Sequence, residues 1–417
     1  MSRLAQDEKR VVVTGLGVVS SLGIGAGELW KNLIAGRSGI SEASTVRAEG
    51  LRFHKAGVVK NFDAVKLTSS RDVAQLGRTS QFAVAASYLA LSDAGLYMDG
   101  KFTGGPDPEL ASVVMGTTTG EQQALEDRIE SRMGLREEKP FRAVTRQIAS
   151  SVVSTNISDF FCLGGHSIVL PAACSGGNYA IAHAYDLLRA GRASVILAGG
   201  ADCLSRHFLY GFARLRALAP ERCQPFDKNR KGIIPGEGAG VLVLETLESA
   251  SARKAHIYSE VLGYGLSSDA HHPVAPDPEG RGAAQSMRDA LAYSHTPPES
   301  VQYISAHGTG TQVNDAVETI AIKRVFGDYA YHLPISSVKS MLGHPASAAS
   351  ALEAVTCNLV IHSGEIPPTI NYDERDPECD LDYVPNVARR AQVDIAMNNS
   401  QAFLGSNASV LFGRVRP

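Results

Sequence analysis

Short β-branched runs alternate along this chain with longer alanine-rich runs of helical periodicity, and the alternation occurs twice. No other feature constrains the fold as much, because strands that are apolar on both faces must be covered by helices. Strands are expected at 10–14, 111–115, 193–198 and 240–245, and again at 258–262, 301–305, 334–338, 393–397 and 409–412. Helices are expected at 28–35, 80–93, 121–133 and 177–189, then at 283–293, 315–325 and 347–362. The pattern predicts α/β layers in two similar halves, 1–250 and 251–417, joined through the charged stretch 245–254.

Composition removes several classes of function. Apolar residues form 44% and charged residues 20% of 417 positions, enough apolar material for a large buried core. Lys plus Arg number 40 against 43 for Asp plus Glu, so no global field favours nucleic acid or an anionic membrane. Residues 11–27 are uncharged but carry five glycines and several hydroxyls, too broken for a signal or a spanning segment. The six cysteines (Cys162, Cys174, Cys203, Cys223, Cys357 and Cys379) include no CxxC pair and match neither a zinc site nor a disulfide framework. Reduced thiols, a cytoplasmic location, and neither metal nor membrane are the expectation.

Two glycine-rich segments fail as phosphate loops. Gly15-Leu-Gly17 lacks the third glycine, where Ser20 stands, and is expected to be a turn after the first strand. Gly116-Thr-Thr-Thr-Gly120 is followed by Glu121 and has no lysine. His271 and His272 fall in a proline-rich loop and are expected at the surface.

Three segments carry chemistry. In Leu170-Pro-Ala-Ala-Cys174-Ser-Gly-Gly177 a cysteine opens a helix, where free N–H groups lower a thiol's pKa and can hold an oxyanion. A strand delivers His307 into Ala306-His-Gly-Thr-Gly-Thr311, with Asp315 and Glu318 beyond it. A second strand leads to Lys339 and His344, followed by the helix that holds Glu353. Sites in α/β sheets gather at the carboxyl ends of strands. A thiol there can carry an acyl group, and two neutral imidazoles can stabilise an enolate-like oxygen, while a nearby lysine biases their charge. The set suits acyl transfer followed by decarboxylative carbon–carbon bond formation. An α/β-hydrolase elbow around Cys174 would need an earlier glycine, which is missing.

At these residues the chain resembles the β-ketoacyl-[acyl carrier protein] synthases, most closely the elongating type II enzymes of fatty acid and polyketide pathways. The likeness also runs through Val11-Val-Val-Thr-Gly-Leu-Gly-Val-Val-Ser-Ser21, Pro225-Phe-Asp-Lys-Asn-Arg-Lys-Gly-Ile-Ile-Pro-Gly-Glu-Gly-Ala-Gly240, Val338-Lys-Ser-Met-Leu-Gly-His344 and Asn399-Ser-Gln-Ala-Phe-Leu-Gly-Ser-Asn407. It implies the thiolase fold, two duplicated halves in a five-layer αβαβα arrangement, and a decarboxylative Claisen condensation of an acyl thioester with malonyl-carrier protein. Cys174 would be the nucleophile. His307 and His344 would stabilise the enolate, and Lys339, partnered by Glu353, would organise them. Phe403 would gate the site and share an oxyanion hole with Cys174. Thr309 and Thr311 would line the phosphopantetheine channel with Arg216 near its mouth, and Asp315 and Glu318 would fix the histidine loop by salt bridges.

No intrinsic cofactor is implied, since substrates ride on the phosphopantetheine of an acyl carrier protein. Candidates for docking that acidic partner are Lys66, Arg71, Arg78, Arg214 and Arg216. The implied assembly is a homodimer or a ketosynthase/chain-length-factor heterodimer. The alternatives are a malonyl decarboxylase or an acyltransferase using the same thiol. The chain departs from the family's usual pattern at Pro345-Ala-Ser-Ala-Ala-Ser350, at Gln401, Ala402 and Leu404, and at Glu121, which falls where relatives often have tunnel residues. Side chains in place of glycines stiffen a loop.

Overall fold

A computed structural model describes residues 9–43, 46, 54–135 and 149–416. The principal strands are β1 (Val11–Ser20), β2 (Ala111–Gly116), β3 (Ser167–Leu170), β4 (Val195–Asp202), β5 (Gly238–Thr246), β6 (Ser259–Ser268), β7 (Tyr303–Ser305), β8 (Ile335–Ser336), β9 (Ile395–Gln401) and β10 (Ser406–Gly413). The first five run in the order β3-β2-β4-β5-β1, with β2 parallel to both its neighbours and the other pairs antiparallel. The last five repeat that arrangement as β8-β7-β9-β10-β6, with β7 parallel to both its neighbours. The two sets meet where Val11, Val12 and Val13 pair antiparallel with Val261, Glu260 and Ser259.

Helices complete the layers. The principal ones are α1 (Ala26–Ile34), α2 (Arg78–Asp93), α3 (Gln122–Arg132), α4 (Val152–Phe161), α5 (Gly176–Arg189), α6 (Arg206–Arg214), α7 (Arg281–Tyr293), α8 (Gln312–Phe326) and α9 (Ser347–Ser363). α2 and α4 cover the outer face of the first strand set, and α7, with α8 beside it, covers that of the second. α5 and α9 lie between the sets and touch strands of both. This is the five-layer αβαβα thiolase architecture. α9 is buried on every side from Ser347 to Ile361, as a helix wedged between two sheets must be.

Most strands are longer than the apolar runs suggest, β7 and β8 are shorter, and the first glycine-rich segment is no turn. Gly15 and Gly17 lie inside β1, paired with Val243 and Val241. A Cβ on either would stand 2.2 Å from the Ala90 carbonyl oxygen or 1.8 Å from that of Ala86, so glycine there lets α2 lie close against the sheet. The junction 245–254 is also ordered. β5 ends at Thr246, whose hydroxyl caps a short helix, Leu247–Ala252, and the buried Glu245 pairs with Arg253 at 2.5 Å. α4, β3 and α6 had no counterpart among the expected elements.

Candidate active site

β3 ends at Leu170, and the chain reaches Cys174 through a tight turn, Ala173–Ser175, before α5 begins at Gly176. Ala173 is held at φ 45°, a left-handed conformation that costs an alanine about 1–2 kcal/mol. Its carbonyl accepts a 2.5 Å hydrogen bond from Ser347 Oγ at the start of α9. Ser175 Oγ donates to the Ser406 carbonyl, 2.8 Å away at the start of β10. The second half of the fold therefore ties down both neighbours of the cysteine.

The histidine loops are fixed by the backbone. Glu318, on α8, accepts the N–H groups of His307 and Gly308 at 2.8 Å each. Asp315 accepts from the N–H groups of Phe226, at 2.7 Å, and Gly310, and lies 3.9 Å from Arg230. Glu318 therefore works through amide hydrogen bonds rather than a salt bridge, while Asp315 combines both. The N–H of His344 donates to Ile234 O at 2.7 Å, and its carbonyl accepts from Gly236 at 3.0 Å. The long motif of residues 225–240 is thus the frame for both loops.

These elements bring three reactive side chains together. His344 Nε2 lies 3.1 Å from Cys174 Sγ. The two imidazoles stand edge to face with centroids 5.6 Å apart. The three ligand atoms lie within 4.8 Å of one another, close enough to share a soft metal ion as well as an acyl group. Lys339 donates to His307 O at 2.6 Å, lies 3.4 Å from His307 Nδ1, and pairs with Glu353. An ammonium has no lone pair, so His307 Nδ1 takes the acceptor role and its proton sits on Nε2.

Burial sets the charge states. It holds both imidazoles well below the ordinary histidine range, and the Lys339 charge adds to this for each. Burial also pushes the Cys174 thiol up to about 12, outweighing the favourable Lys339 charge and the cysteine's own N–H. The expectation of a thiol acidified by the helix start is thus corrected: the resting form is the thiol, because desolvation is the larger effect. Burial likewise raises Glu318 and Glu353 to about 7.

A cavity of about 530 Å³ opens over this group, lined by Cys174, His307, His344, Thr309, Thr311 and Phe403 among others. Thr309 and Thr311 share a 3.0 Å hydroxyl contact, and Phe403 stacks on Phe212 at 5.5 Å. Arg216 is exposed on the wall. Lys339 and Glu353 lie behind the wall as a buried ion pair, so Glu353 supports the site without touching the cavity. His271 and His272 are exposed as expected, and His272 also reaches the cavity wall.

Two readings change. Arg78 does not belong to a surface basic patch, since it pairs with the buried Glu237 at 2.7 Å; Lys66, Arg71, Arg214 and Arg216 are exposed. Glu121 does not line the cavity; it accepts the N–H groups of Thr79 and Ser80 in the first turn of α2, at 3.3 and 2.6 Å. Leu404 takes φ 67° with 71% of its surface exposed, a left-handed conformation suited to glycine.

Asp202 also braces the site, outside the expected site residues. From the end of β4 it accepts the Thr117 hydroxyl at 2.8 Å and the N–H groups of Thr118, Thr119 and Ser347 at 3.0, 2.9 and 2.8 Å. The available signal was a lone carboxylate closing an apolar strand.

Comparison with known proteins gives consistent results. Residues 8–250 match the family model for the N-terminal domain of beta-ketoacyl synthase, and residues 258–373 match that for the C-terminal domain. The 3-oxoacyl-[acyl-carrier-protein] synthase 2 of Synechocystis sp. is 38% identical over 97% of this chain and 98% of its own. Nodulation protein E of Rhizobium leguminosarum bv. trifolii is 40% identical over 98% of this chain and 100% of its own. Among solved structures, the ishigamide ketosynthase/chain length factor superposes with a TM-score of 0.92 at 42% identity, covering 98% of this chain and 100% of that one.

Proposed function

This chain belongs to the beta-ketoacyl synthase family, and from that membership we propose that it is a 3-oxoacyl-[acyl carrier protein] synthase, an acyltransferase of type II fatty acid or polyketide biosynthesis. The observation that carries the reading is the 3.1 Å approach of His344 Nε2 to Cys174 Sγ, with His307 across one shared cavity.

In the first step Cys174 sulfur attacks an acyl thioester delivered on phosphopantetheine. A new carbon–sulfur bond forms, the old one breaks, and the thiol proton passes by way of His344 to the departing pantetheine sulfur. Transfer through His344 suits a thiol held up at about 12, because the thiolate need exist only as the bond forms. The N–H groups of Cys174 and Phe403 are the proposed donors to the tetrahedral oxyanion.

In the second step malonyl thioester loses carbon dioxide, and the pair from the broken carbon–carbon bond moves onto the thioester oxygen. Neutral imidazoles suit this step: they donate N–H bonds to the enolate without adding a full charge. The enolate carbon then attacks the acyl group on Cys174, the carbon–sulfur bond breaks with its pair on sulfur, the Cys174 thiolate takes one proton from solvent to return to the thiol, and 3-oxoacyl-carrier protein leaves.

An acyl carrier protein is the proposed partner, docking by Lys66, Arg71, Arg214 and Arg216, with Thr309 and Thr311 along the pantetheine channel. The proposed assembly is a homodimer or a heterodimer with a chain length factor, as in a solved relative. Six unpaired thiols suit a cytoplasmic location, and among the described residues no helix is long and apolar enough to cross a membrane. Incubation with acyl- and malonyl-carrier protein, alone and with a chain length factor, tests the reading. A 3-oxoacyl product supports it; carbon dioxide release without condensation would instead indicate a decarboxylase.

A further inference from the structure

Two cations stand at the mouth of the cavity with no acid to neutralise them. Lys231 and Arg216 both line it and are exposed, and neither forms an ion pair among the described residues. Asp269, the one carboxylate on the described wall, is engaged elsewhere: Asn407 donates to it at 2.8 Å and the Asp277 N–H at 3.2 Å. His272 adds a donor. Its Nδ1 accepts the N–H groups of Val274 and Ala275 at 3.1 Å each, so the ring proton sits on Nε2.

The backbone sets the two cations side by side. Ile233 N–H donates to Ala217 O at 2.7 Å, and Ile233 O accepts from Ala219 N–H at 2.8 Å, which lays 216–219 parallel to 231–234. Gly232 N–H donates to Gly310 O at 2.8 Å, between Thr309 and Thr311.

Segment 231–234 also measures the depth of the mouth. Ile234, fully buried, holds the His344 N–H through its carbonyl, and three residues earlier Lys231 reaches solvent. Three residue steps span at most about 10 Å, and a lysine side chain adds about 6 Å of reach. An extended pantetheine arm runs about 16 Å from sulfur to phosphate. With its sulfur at Cys174, the arm leaves its phosphate at the mouth, within the sweep of both cations.

Building on the ketosynthase reading, we infer that Lys231 and Arg216, with His272 beside them, bind the phosphate at the outer end of the pantetheine arm. Lys231 is thereby a specificity-determining residue that favours phosphorylated arms over bare pantetheine. The chemistry recognised is a phosphate on pantetheine, esterified to a carrier serine or to the nucleotide of coenzyme A.

The test follows Cys174 loading by intact mass from hexanoyl-pantetheine, hexanoyl-phosphopantetheine, hexanoyl-coenzyme A and hexanoyl-carrier protein. The first two donors differ only in the phosphate. The unaltered protein should load the phosphorylated one about tenfold faster in kcat/KM, and the gain should shrink at high salt. K231Q should remove most of that gain and K231R should keep it. A K231Q loss larger with carrier protein than with coenzyme A assigns the site to the carrier's diester, and the reverse assigns it to coenzyme A. Equal loading of bare and phosphorylated donors by the unaltered protein would overturn the inference. So would a K231Q variant that slows both alike, which would assign Lys231 to folding or to the path of the arm. Failure to load any donor would instead remove the ketosynthase reading. Calorimetry of free phosphopantetheine against C174A still decides the site in that case: binding that weakens with K231Q supports it, and binding unchanged by K231Q, or none, overturns it.

Discussion

At the scale of single residues, the site depends on charge states set by burial. Cys174 lies at about 12, so its thiolate fraction keeps rising with pH well past the range of a free thiol. Alkylation by iodoacetamide should therefore climb steadily from pH 7 to pH 10, as followed by mass spectrometry. A plateau near pH 8.5 would contradict the burial argument. The imidazoles shift the other way. Both are held below the ordinary histidine range, so their neutral forms persist as pH falls through 6.5. Condensation should hold its rate at pH 6 and decline only in more acid solution. A midpoint at or above 6.5 would show that they are not desolvated as described. Lys339 and Glu353 form a buried pair, and removing one member strands the other charge. K339M should lower the unfolding free energy by about 3–5 kcal/mol, and adding E353L should recover part of it. Denaturant titration of both variants checks this, and a loss under about 1 kcal/mol for K339M would refute it.

At the scale of elements, the first turn of α9 is a brace. Ser347 holds the Ala173 carbonyl through its hydroxyl, while its N–H is held by Asp202. S347A should cost roughly 1 kcal/mol of stability and slow acyl transfer to Cys174. Stopped-flow loading beside thermal unfolding separates the two effects. Lost stability with unchanged loading would show that the brace does not position the nucleophile. Elements were also where the sequence spoke most clearly. α2, α5 and α9 were expected nearly end to end, because long alanine-rich runs carry a strong period. β3 was not expected, because four residues leave too little alternation to register. Gly15 and Gly17 suggested a turn because glycine marks both turns and close helix–strand contacts, and only the packed neighbour tells them apart.

At the scale of the whole molecule, the site exists because the two halves share their middle layer. Cys174 comes from the first half and both histidines from the second, and α5 and α9 are buried between the two sheets. Neither half keeps its inner face covered without the other, so unfolding should be a single cooperative transition by calorimetry. Two well-separated transitions would indicate halves that stand alone. The reactive trio was legible in the sequence because each member lies within a long motif, Cys174 just before α5, His307 just after β7 and His344 in the loop before α9. The brace from Asp202 and the upward shift of the thiol were not, since both depend on packing across the central layer.

The most direct test of the account is the intact mass of the protein after exposure to acyl-carrier protein, before and after malonyl-carrier protein is added. The account predicts an acyl adduct on the unaltered chain, none on C174A, and its discharge as a 3-oxoacyl product once the malonyl donor arrives. An adduct that persists in C174A, or an unaltered chain that never acquires one, would contradict it.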